Sequence, residues 1–555
     1  MPVFEVDAVV VGGGHHGLVA AAVLADAGWG VLLLEAQPEL GGAVRSTEWH
    51  PGFVADRFSA FYPLAAASPV LRALELERHG LSWAHAPAVL AHPLRPDGTA
   101  AAVLHRDPER TAAALDAHHP GDGAAWLELC RQWRAVEEPL LRSMFTTFPP
   151  VRGPAQLLRR IGAADALELL RFLLLPATRM GEERFGGAAA RLLIAGNAAH
   201  TDVPVTAPGS GLYGLVLAML GQHHGFPTPV GGTGELTAAL ARRAESVGAV
   251  LRTGERVEQI LVDGGRAAGV VCAGGMRVMV RRAVVADVSA PDLYLRLLPP
   301  AAVPARVRDD LTRFVWDAPT LKVDWALGAP IPWRAPDVAA AGTVHLGADV
   351  DGLVRWGADL ETGTLPSSPF LLLGQMTTAD PTRSPAGTES VWAYTHLPRG
   401  WSGADEDELA RRVEAVVEAH APGFRARILH RTVLRPADLL AADANLGHGA
   451  VGGGTSHLFQ QLVFRPVPGL GRPETPVDRL YLGSAAAHPG GGVHGVCGFL
   501  AAKAALAADG RAGFLRRKIS SAALALVHAA RNSGASGSDG PGTGMSAGAG
   551  VARRV

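Results

Sequence analysis

Val6-Asp7-Ala8-Val9-Val10-Val11-Gly12-Gly13-Gly14-His15-His16-Gly17, continued by residues 18–27 (LVAAAVLADA), decides the fold. Residues 6–11 are a short, β-branched, nearly all-apolar run, as a strand buried on both faces of a parallel sheet requires. Residues 18–27 are rich in Ala and Leu and read as a helix, with Gly28 where a C′ glycine ends one. Residues 30–34 (GVLLL) are a second strand that ends at Glu35. Strand, glycine turn, helix and strand make a complete βαβ unit around a G-x-G-x-x-G spacing. Gly12 permits the tight turn, Gly14 leaves the backbone open to a pyrophosphate, and Gly17 lets the helix pack closely on the sheet. Free N–H groups and the dipole at the helix start hold phosphate charge, with His15 and His16 in the variable positions beside it. Glu35 is placed to accept hydrogen bonds from an adenosine ribose. A carboxylate there disfavours a 2′-phosphate, so the dinucleotide is FAD or NAD rather than NADP.

Composition bounds the rest. The 555 residues exceed what one compact core usually covers, so at least two domains are expected. Apolar residues make up 48% and charged ones 19%, which supports a large core and excludes global disorder. Lys and Arg (51) nearly equal Asp and Glu (52), so no electrostatic argument points to nucleic acid as a partner. Cys130, Cys272 and Cys497 form no C-x-x-C pair, so neither a dithiol redox centre nor a metal site is expected. Sparse, unpaired cysteine fits a reducing cytoplasm. Residues 1–7 carry no basic n-region and are not expected to be a secretory signal. No stretch approaches the roughly 20 apolar residues of a spanning helix, so the protein is expected to be soluble or at most attached to a membrane face.

Two further glycine-rich segments select between the cofactors. Gly41-Gly42 follows Glu35 within residues 35–46 (EAQPELGGAVRS) and resembles the diglycine motif of two-dinucleotide-binding-domain flavoproteins. At the far end, residues 478–483 (DRLYLG) read as a strand. A turn at 484–498 (SAAAHPGGGVHGVCG) follows, and then a helix-like run at 499–508. Such a turn offers backbone N–H groups to a flavin, and the helix start favours negative charge on its N1/C2=O region.

The two ends together resemble the phytoene desaturase and carotenoid isomerase-like flavoproteins, a group that includes the branch called pyridine nucleotide-disulfide oxidoreductase domain-containing protein 2. The marks are Gly12 to Gly17 with Glu35, Gly41-Gly42, and Gly483 with His488-Pro489-Gly490-Gly491-Gly492-Val493 and Gly495. Residues 225–236 (GFPTPVGGTGEL) look like the family's Pro-x-Gly-Gly turn before a helix. Behind them, residues 250–287 alternate apolar and polar residues, with turns at Asp263-Gly264 and Gly274-Gly275, as hairpin strands do. The resemblance implies an α/β fold, with a Rossmann-type FAD-binding domain and an interleaved α+β substrate domain. It implies FAD contacts at Ala36, Ala43, Arg45, Gly483, Gly492 and Val493, and through the backbone of Val257, besides the glycines and Glu35. Desaturases carry Arg directly after the diglycine, whereas here the residue is Ala43 and Arg45 follows two places later. Residues 196–200 (GNAAH) and 374–383 (GQMTTADPTR) look more like the second branch. Without C-x-x-C, disulfide reduction is not supported.

The implied organisation is discontinuous: residues 1–75, 225–295 and 475–512 for FAD, and 76–224 and 296–474 for the substrate. A C-terminal helix at 513–531 and a Ser/Gly/Ala/Pro-rich disordered tail at 532–555 complete it. The expected reaction moves a hydride between an apolar small molecule and the flavin, as a desaturase, dehydrogenase or isomerase does. A flavin amine or amino-acid oxidase, or a flavin-binding regulatory protein, is the alternative. Near the C-terminal motif the only large aromatics are Tyr481 and Phe499, which favours the first reading. No second nucleotide unit is found, and Gly452-Gly453-Gly454 lacks the flanking strand and helix. Oxygen, a quinone or a diffusible carrier is therefore the expected electron acceptor. His488, His494 and His200 are the catalytic candidates, although for each a histidine packed against its surroundings is the reading favoured over the catalytic one. Asp56 and Arg57 either meet substrate or close a structural ion pair, and Cys497 reads as a packing residue. Residues 166–176 (ALELLRFLLLP) read as a core helix of the substrate domain. The resemblance also allows them to form a hydrophobic tunnel or a membrane-facing entrance.

Overall fold

Two seven-stranded sheets organise the chain in a computed structural model that describes residues 3–58, 60–401, 405–510 and 512–528. At the centre of the first sheet, Val3–Val11 runs parallel to Arg277–Ala286 on one side and to Val31–Leu34 on the other. Val250–Arg252 continues the parallel order beyond Val31–Leu34, and Leu480–Leu482 pairs in parallel with residues 284–286. The hairpin Val257–Asp263 and Arg266–Cys272 joins antiparallel. All strands of this sheet come from residues 3–34, 250–286 and 480–482.

The unbroken apolar runs are explained by burial on both faces. Ala8 and Val10 join one core with Leu18, Leu24, Leu236 and Ala501, while Val9 and Val11 join another with Ile260, Val278 and Leu293. Successive side chains leave opposite faces of a strand, so a strand covered on both sides must be apolar throughout. Helices His15–Asp26, Gly234–Ser246 and Val496–Asp509 cover the first of these faces. The N- and C-terminal helices pack at near backbone contact, for a Cβ on Gly498 would lie 1.9 Å from the His16 carbonyl oxygen.

The second sheet has the order Ile428–Leu434, Thr320–Leu327, Glu389–His396, Leu371–Gln375, Ala341–Leu346, Ala88–Pro93 and Ala101–Leu104. It is antiparallel except where Ala341–Leu346 meets Ala88–Pro93. Helix Glu406–His420 packs on one of its faces through Leu409, Val413 and Val417. A helical layer from Pro108–His118 to Ser210–His224 gathers around Trp126, Trp133, Leu193 and Leu220.

One expectation is corrected here. Residues 166–176 do not form a core helix. Residues 166–174 lie in Arg152–Leu174, a helical segment kinked at Gly162 in which only Gly153 and Phe172 are buried, and 175–176 lie beyond its end. Ile161, Leu169 and Leu173 pack inward, but Leu167, Leu170 and Leu174 face outward at 68%, 53% and 49% exposure. The segment is leucine-rich on two faces, and hydrophobicity alone does not say which one a surface helix turns inward. No helix among the described residues is long and apolar enough to cross a membrane. The C-terminal helix is Gly513–Val527, and the tail read as disordered, 532–555, lies outside the described residues.

Candidate functional site

A cavity of about 510 Å³ begins at the carboxyl ends of Val3–Val11 and Val31–Leu34 and continues to the strands of the second sheet. Open parallel sheets characteristically bind ligands in this position. Gly12 has φ +101°, and a Cβ there would lie 2.5 Å from the Asp287 carbonyl oxygen, so only glycine fits. Glu35 Oε2 accepts from the Gly13 N–H and Oε1 from the Gln37 N–H, both at 2.7 Å. Its carboxylate thus organises the turn while still lining the cavity with Ala36 and Val257. The diglycine lies directly against the phosphate turn. Gly41 N–H donates to the Gly13 carbonyl at 2.8 Å, and a Cβ on Gly42 would lie 3.2 Å from Gly14 Cα.

Of the residues expected at this end, Gly12, Gly14, His15, His16, Glu35, Ala36, Gly42, Ala43 and Val257 line the cavity, and so do Gly492, Val493 and the candidates His200 and His494. Five expected residues do not. Gly17 is turned to the sheet, where its N–H donates to Asp287 Oδ2 at 2.8 Å. Gly41 is taken up by the Gly13 carbonyl. Gly483 is packed between Val285 and Ala501. Arg45 is 5% exposed and donates to the carbonyls of Gly42 and Ala442, at 2.8 and 2.7 Å, so it braces the diglycine from behind. His488 is buried with Nε2 donating to the Thr146 carbonyl at 3.0 Å.

The histidines that remain differ in what they can offer. His494 spends both nitrogens on its own turn: Nε2 donates to the Gly490 carbonyl at 3.2 Å and Nδ1 accepts from the Val496 N–H at 3.0 Å. Burial pushes His494 down to about 3 and His488 down to about 4, so both rings are neutral. His16 is the opposite case, at 2% exposure with neither nitrogen bonded to protein. The glycine cradle fits the close approach of a pyrophosphate, and the single N–H of the neutral His16 ring, unpaired within the protein, is a donor beside it. The residues present therefore fit a bound dinucleotide. Cys497 lies 3.6 Å from the Gly490 carbonyl and burial pushes its thiol up to about 12, so it is a packing group.

Three side chains that sequence reasoning did not single out shape this end. Asp287, at the end of the strand Arg277–Ala286, is pushed up to about 8 by burial. Asp317, pushed up to about 6 by burial, accepts from the N–H groups of Gly452 and Gly454 at 2.7 and 3.2 Å. Arg465, 1% exposed, donates to the carbonyls of Thr455 and Ala485 at 3.0 and 2.8 Å and also reaches Gly452 and Gly453. Gly452 and Gly453 thus belong to the wall of this cavity, with Gly454 behind them, rather than to a second nucleotide site.

Beyond the turn, the cavity passes between Thr320–Leu327 and Glu389–His396 on one side and helix Ser210–His224 on another. Phe61, Phe145, Val216, Phe226, Leu372 and Trp392 line it. Trp392 and Tyr394 stack at 5.8 Å between ring centres with planes 11° apart. Tyr481 is buried in its strand and, like Phe499, is absent from the lining, so the aromatic character comes from Trp392 and Tyr394 of the second sheet and from Phe61, Phe145 and Phe226 outside it.

Lys322 also lines this region at 2% exposure, paired with Asp324 and donating to the Asp56 carbonyl at 2.9 Å. Of the two readings left open for Asp56, the structure selects the ion pair. Its carboxylate meets Arg383, both side chains at 0% exposure, and accepts from the Thr233 N–H at 2.8 Å. The alternation in Thr320–Leu327 (TLKVDWAL) held a signal for Lys322, because two opposite charges two residues apart fall on the same strand face.

Comparison with known proteins agrees with this architecture. The chain is 29% identical over 550 residues to pyridine nucleotide-disulfide oxidoreductase domain-containing protein 2 of Rattus norvegicus, covering 89% of this chain and 92% of that protein. It is 25% identical over 504 residues to a lycopene-forming phytoene desaturase of Paracoccus sp., covering 88% and 95%. Its fold superposes on cyclohexylamine oxidase from Brevibacterium oxydans IH-35A with a TM-score of 0.55 at 16% identity, covering 90% of this chain and 98% of that one. The family model for flavin-containing amine oxidoreductases matches residues 17–498, and the chain belongs to that family of FAD-dependent oxidoreductases.

Proposed function

We propose that the protein oxidises an apolar organic molecule, as a dehydrogenase or desaturase does, in the half of the cavity between the second sheet and helix Ser210–His224. One observation carries this reading. The walls there are Phe61, Phe145, Val216, Phe226, Leu372 and Trp392, and the charged groups among them are already engaged: Lys322 with Asp324, Asp202 with Arg399, and Asp317 with backbone N–H groups. An anionic substrate would meet no unpaired cation there, and a cationic one would meet only Asp317, whose carboxylate already accepts two N–H groups.

FAD would be held by the glycine turn at Gly12 and Gly14, by Glu35 at the ribose, by Gly42 and Val257, and by Gly492 and Val493 on the flavin side. Bound there, FAD supplies the two-electron acceptor for a hydride leaving a substrate carbon. The protein's part is to exclude water with the aromatic wall, to orient the reacting carbon, and to keep the Lys322 ammonium fixed in an apolar surround. Amine oxidation is the second reading. The Trp392–Tyr394 pair favours it, because an aromatic ring face attracts the ammonium form of an amine.

Anaerobic mixing of the holoenzyme with polyenes, cyclic hydrocarbons and primary amines separates the two. Bleaching of the flavin by the hydrocarbons supports oxidation of an apolar substrate, and bleaching by amines alone refutes it.

A further inference from the structure

We propose that His200 is the specificity-determining residue of the cavity: its Nδ1 accepts a hydrogen bond from a neutral O–H or N–H group on an otherwise apolar substrate, and His345 is the positioning residue that fixes this orientation. The inference rests on the apolar-substrate reading above and narrows it to molecules bearing one such donor.

The geometry begins at His92 and works outward to the cavity. His92 and His345 sit on adjacent parallel strands, Ala88–Pro93 and Ala341–Leu346, and both are 0% exposed. His92 Nε2 lies 2.7 Å from the Ala348 carbonyl oxygen. A carbonyl only accepts, so Nε2 carries the hydrogen and His92 Nδ1 holds a lone pair. His92 Nδ1 and His345 Nδ1 both lack a partner, and both converge on Gly196, whose Cβ would lie 3.1 Å from the first and 2.5 Å from the second. A second lone pair in the same dry space beside Gly196 is unfavourable, so the favoured tautomer of His345 carries its hydrogen on Nδ1. Its Nε2 is then a lone pair. His200 Nε2 lies 2.8 Å from it and donates. The hydrogen of His200 is thereby spent, and Nδ1 is left as the lone-pair nitrogen of a ring that lines the cavity.

Burial keeps the arrangement uncharged: it pushes His92 down to about 4 and His200 to about 3, and holds His345 well below its usual value. Phe370 flanks His345 at 5.4 Å and Phe226 flanks His200 at 6.5 Å between ring centres, so apolar rings surround the pair. Gly196-Asn197-Ala198-Ala199-His200 acquires a reason for its spacing. Gly196 and His200 stand on one side at the end of helix Ala188–Ala198, the first making room for His345 and the second bonding it.

The test is titration of the holoenzyme with 1-decanol, undecane, decanal and decanamide, read from the flavin visible spectrum. Undecane replaces the hydroxyl by methyl at equal length, decanal keeps the oxygen but removes the donor, and decanamide replaces O–H by N–H. The wild type is expected to bind a donor-bearing ligand about 10-fold or more tighter than undecane and decanal. Whether decanol or decanamide leads identifies the donor as O–H or N–H, and either result supports the inference. His200→Phe should remove the preference. His345→Phe should reduce it, and His345→Gln, whose Oε1 can accept from His200 Nε2, should restore it. Flavin content and melting temperature of each variant show that it is folded. Equal binding of decanol, decanamide and undecane by the wild type, or an unchanged preference in both phenylalanine variants, overturns the inference. No spectral response to any of the four ligands overturns the apolar-substrate reading and this inference with it.

Discussion

The Asp287 carboxylate holds the Gly17 N–H at 2.8 Å across 270 residues of chain. It therefore ties the end of the strand Arg277–Ala286 to the first turn of helix His15–Asp26. Burial, reinforced by Asp443 and Glu35 nearby, raises this carboxyl to about 8, so at neutral pH it is largely protonated.

FAD affinity should therefore depend on pH. Asp287 ionises in the FAD-free protein as pH rises through about 8, and a bound pyrophosphate opposes that ionisation, so binding must then take up a proton and weakens as pH rises further. Above that value a buried negative charge stands beside the phosphate turn. Between pH 7 and 9.5 the FAD dissociation constant, measured by flavin fluorescence quenching, should rise about tenfold. Asp287→Asn should flatten this dependence, since the amide oxygen can still accept from Gly17. Asp287→Ala should weaken binding at every pH by leaving that N–H unpaired.

Lys322→Met should lower the flavin midpoint potential, because a buried positive charge favours the anionic reduced state. The potential is read by equilibrium titration against a dye of known potential, and reduction of the flavin by substrate should slow by about 10²-fold. The same change leaves Asp324 buried without its partner. Lys322→Met combined with Asp324→Asn should recover stability but not rate.

The Asp56–Arg383 pair should behave as a fully buried ion pair. Removing either partner alone, as Asp56→Asn or Arg383→Met, should cost about 3–5 kcal/mol in urea unfolding. The double variant should cost clearly less than the sum of the two.

Gly196→Ala should destabilise despite the higher helix propensity of alanine. The added methyl would lie 2.5 Å from His345 Nδ1, with buried strands behind that ring. A loss of about 1–3 kcal/mol is expected, against a propensity gain of about 1 kcal/mol at most.

Local signals were readable in the sequence and register-dependent ones were not. Gly12, Gly14 and Glu35 could be assigned because one βαβ unit brings them together within some two dozen residues. His494 and Gly492 were placed at the cavity by the same logic at the other end of the chain. His488, only six residues from His494, points to the Thr146 carbonyl instead, because the path of a glycine-rich turn is not encoded in spacing. Trp392, Tyr394 and Lys322 enter the cavity through the pairing of the second sheet, and no local pattern states which strands become neighbours. Arg465 and Asp317 work on backbone groups far from them in sequence, so composition leaves no trace of their role. The exposed Leu167 and Leu170 show the limit of hydrophobic patterning, which signals a helix without saying which faces are covered.

The sheet that carries the phosphate turn is completed by the last strand in it. Residues 284–286 gain their outer neighbour only when Leu480–Leu482 arrives, and helix His15–Asp26 meets the backbone at Gly498 later still. During synthesis on the ribosome, the nucleotide-binding half thus emerges hundreds of residues before its lid of backbone. The nascent chain must wait with an open sheet edge, a state prone to mispairing. Truncations short of residue 498 should therefore yield chains that lack FAD and are colourless rather than weak enzymes.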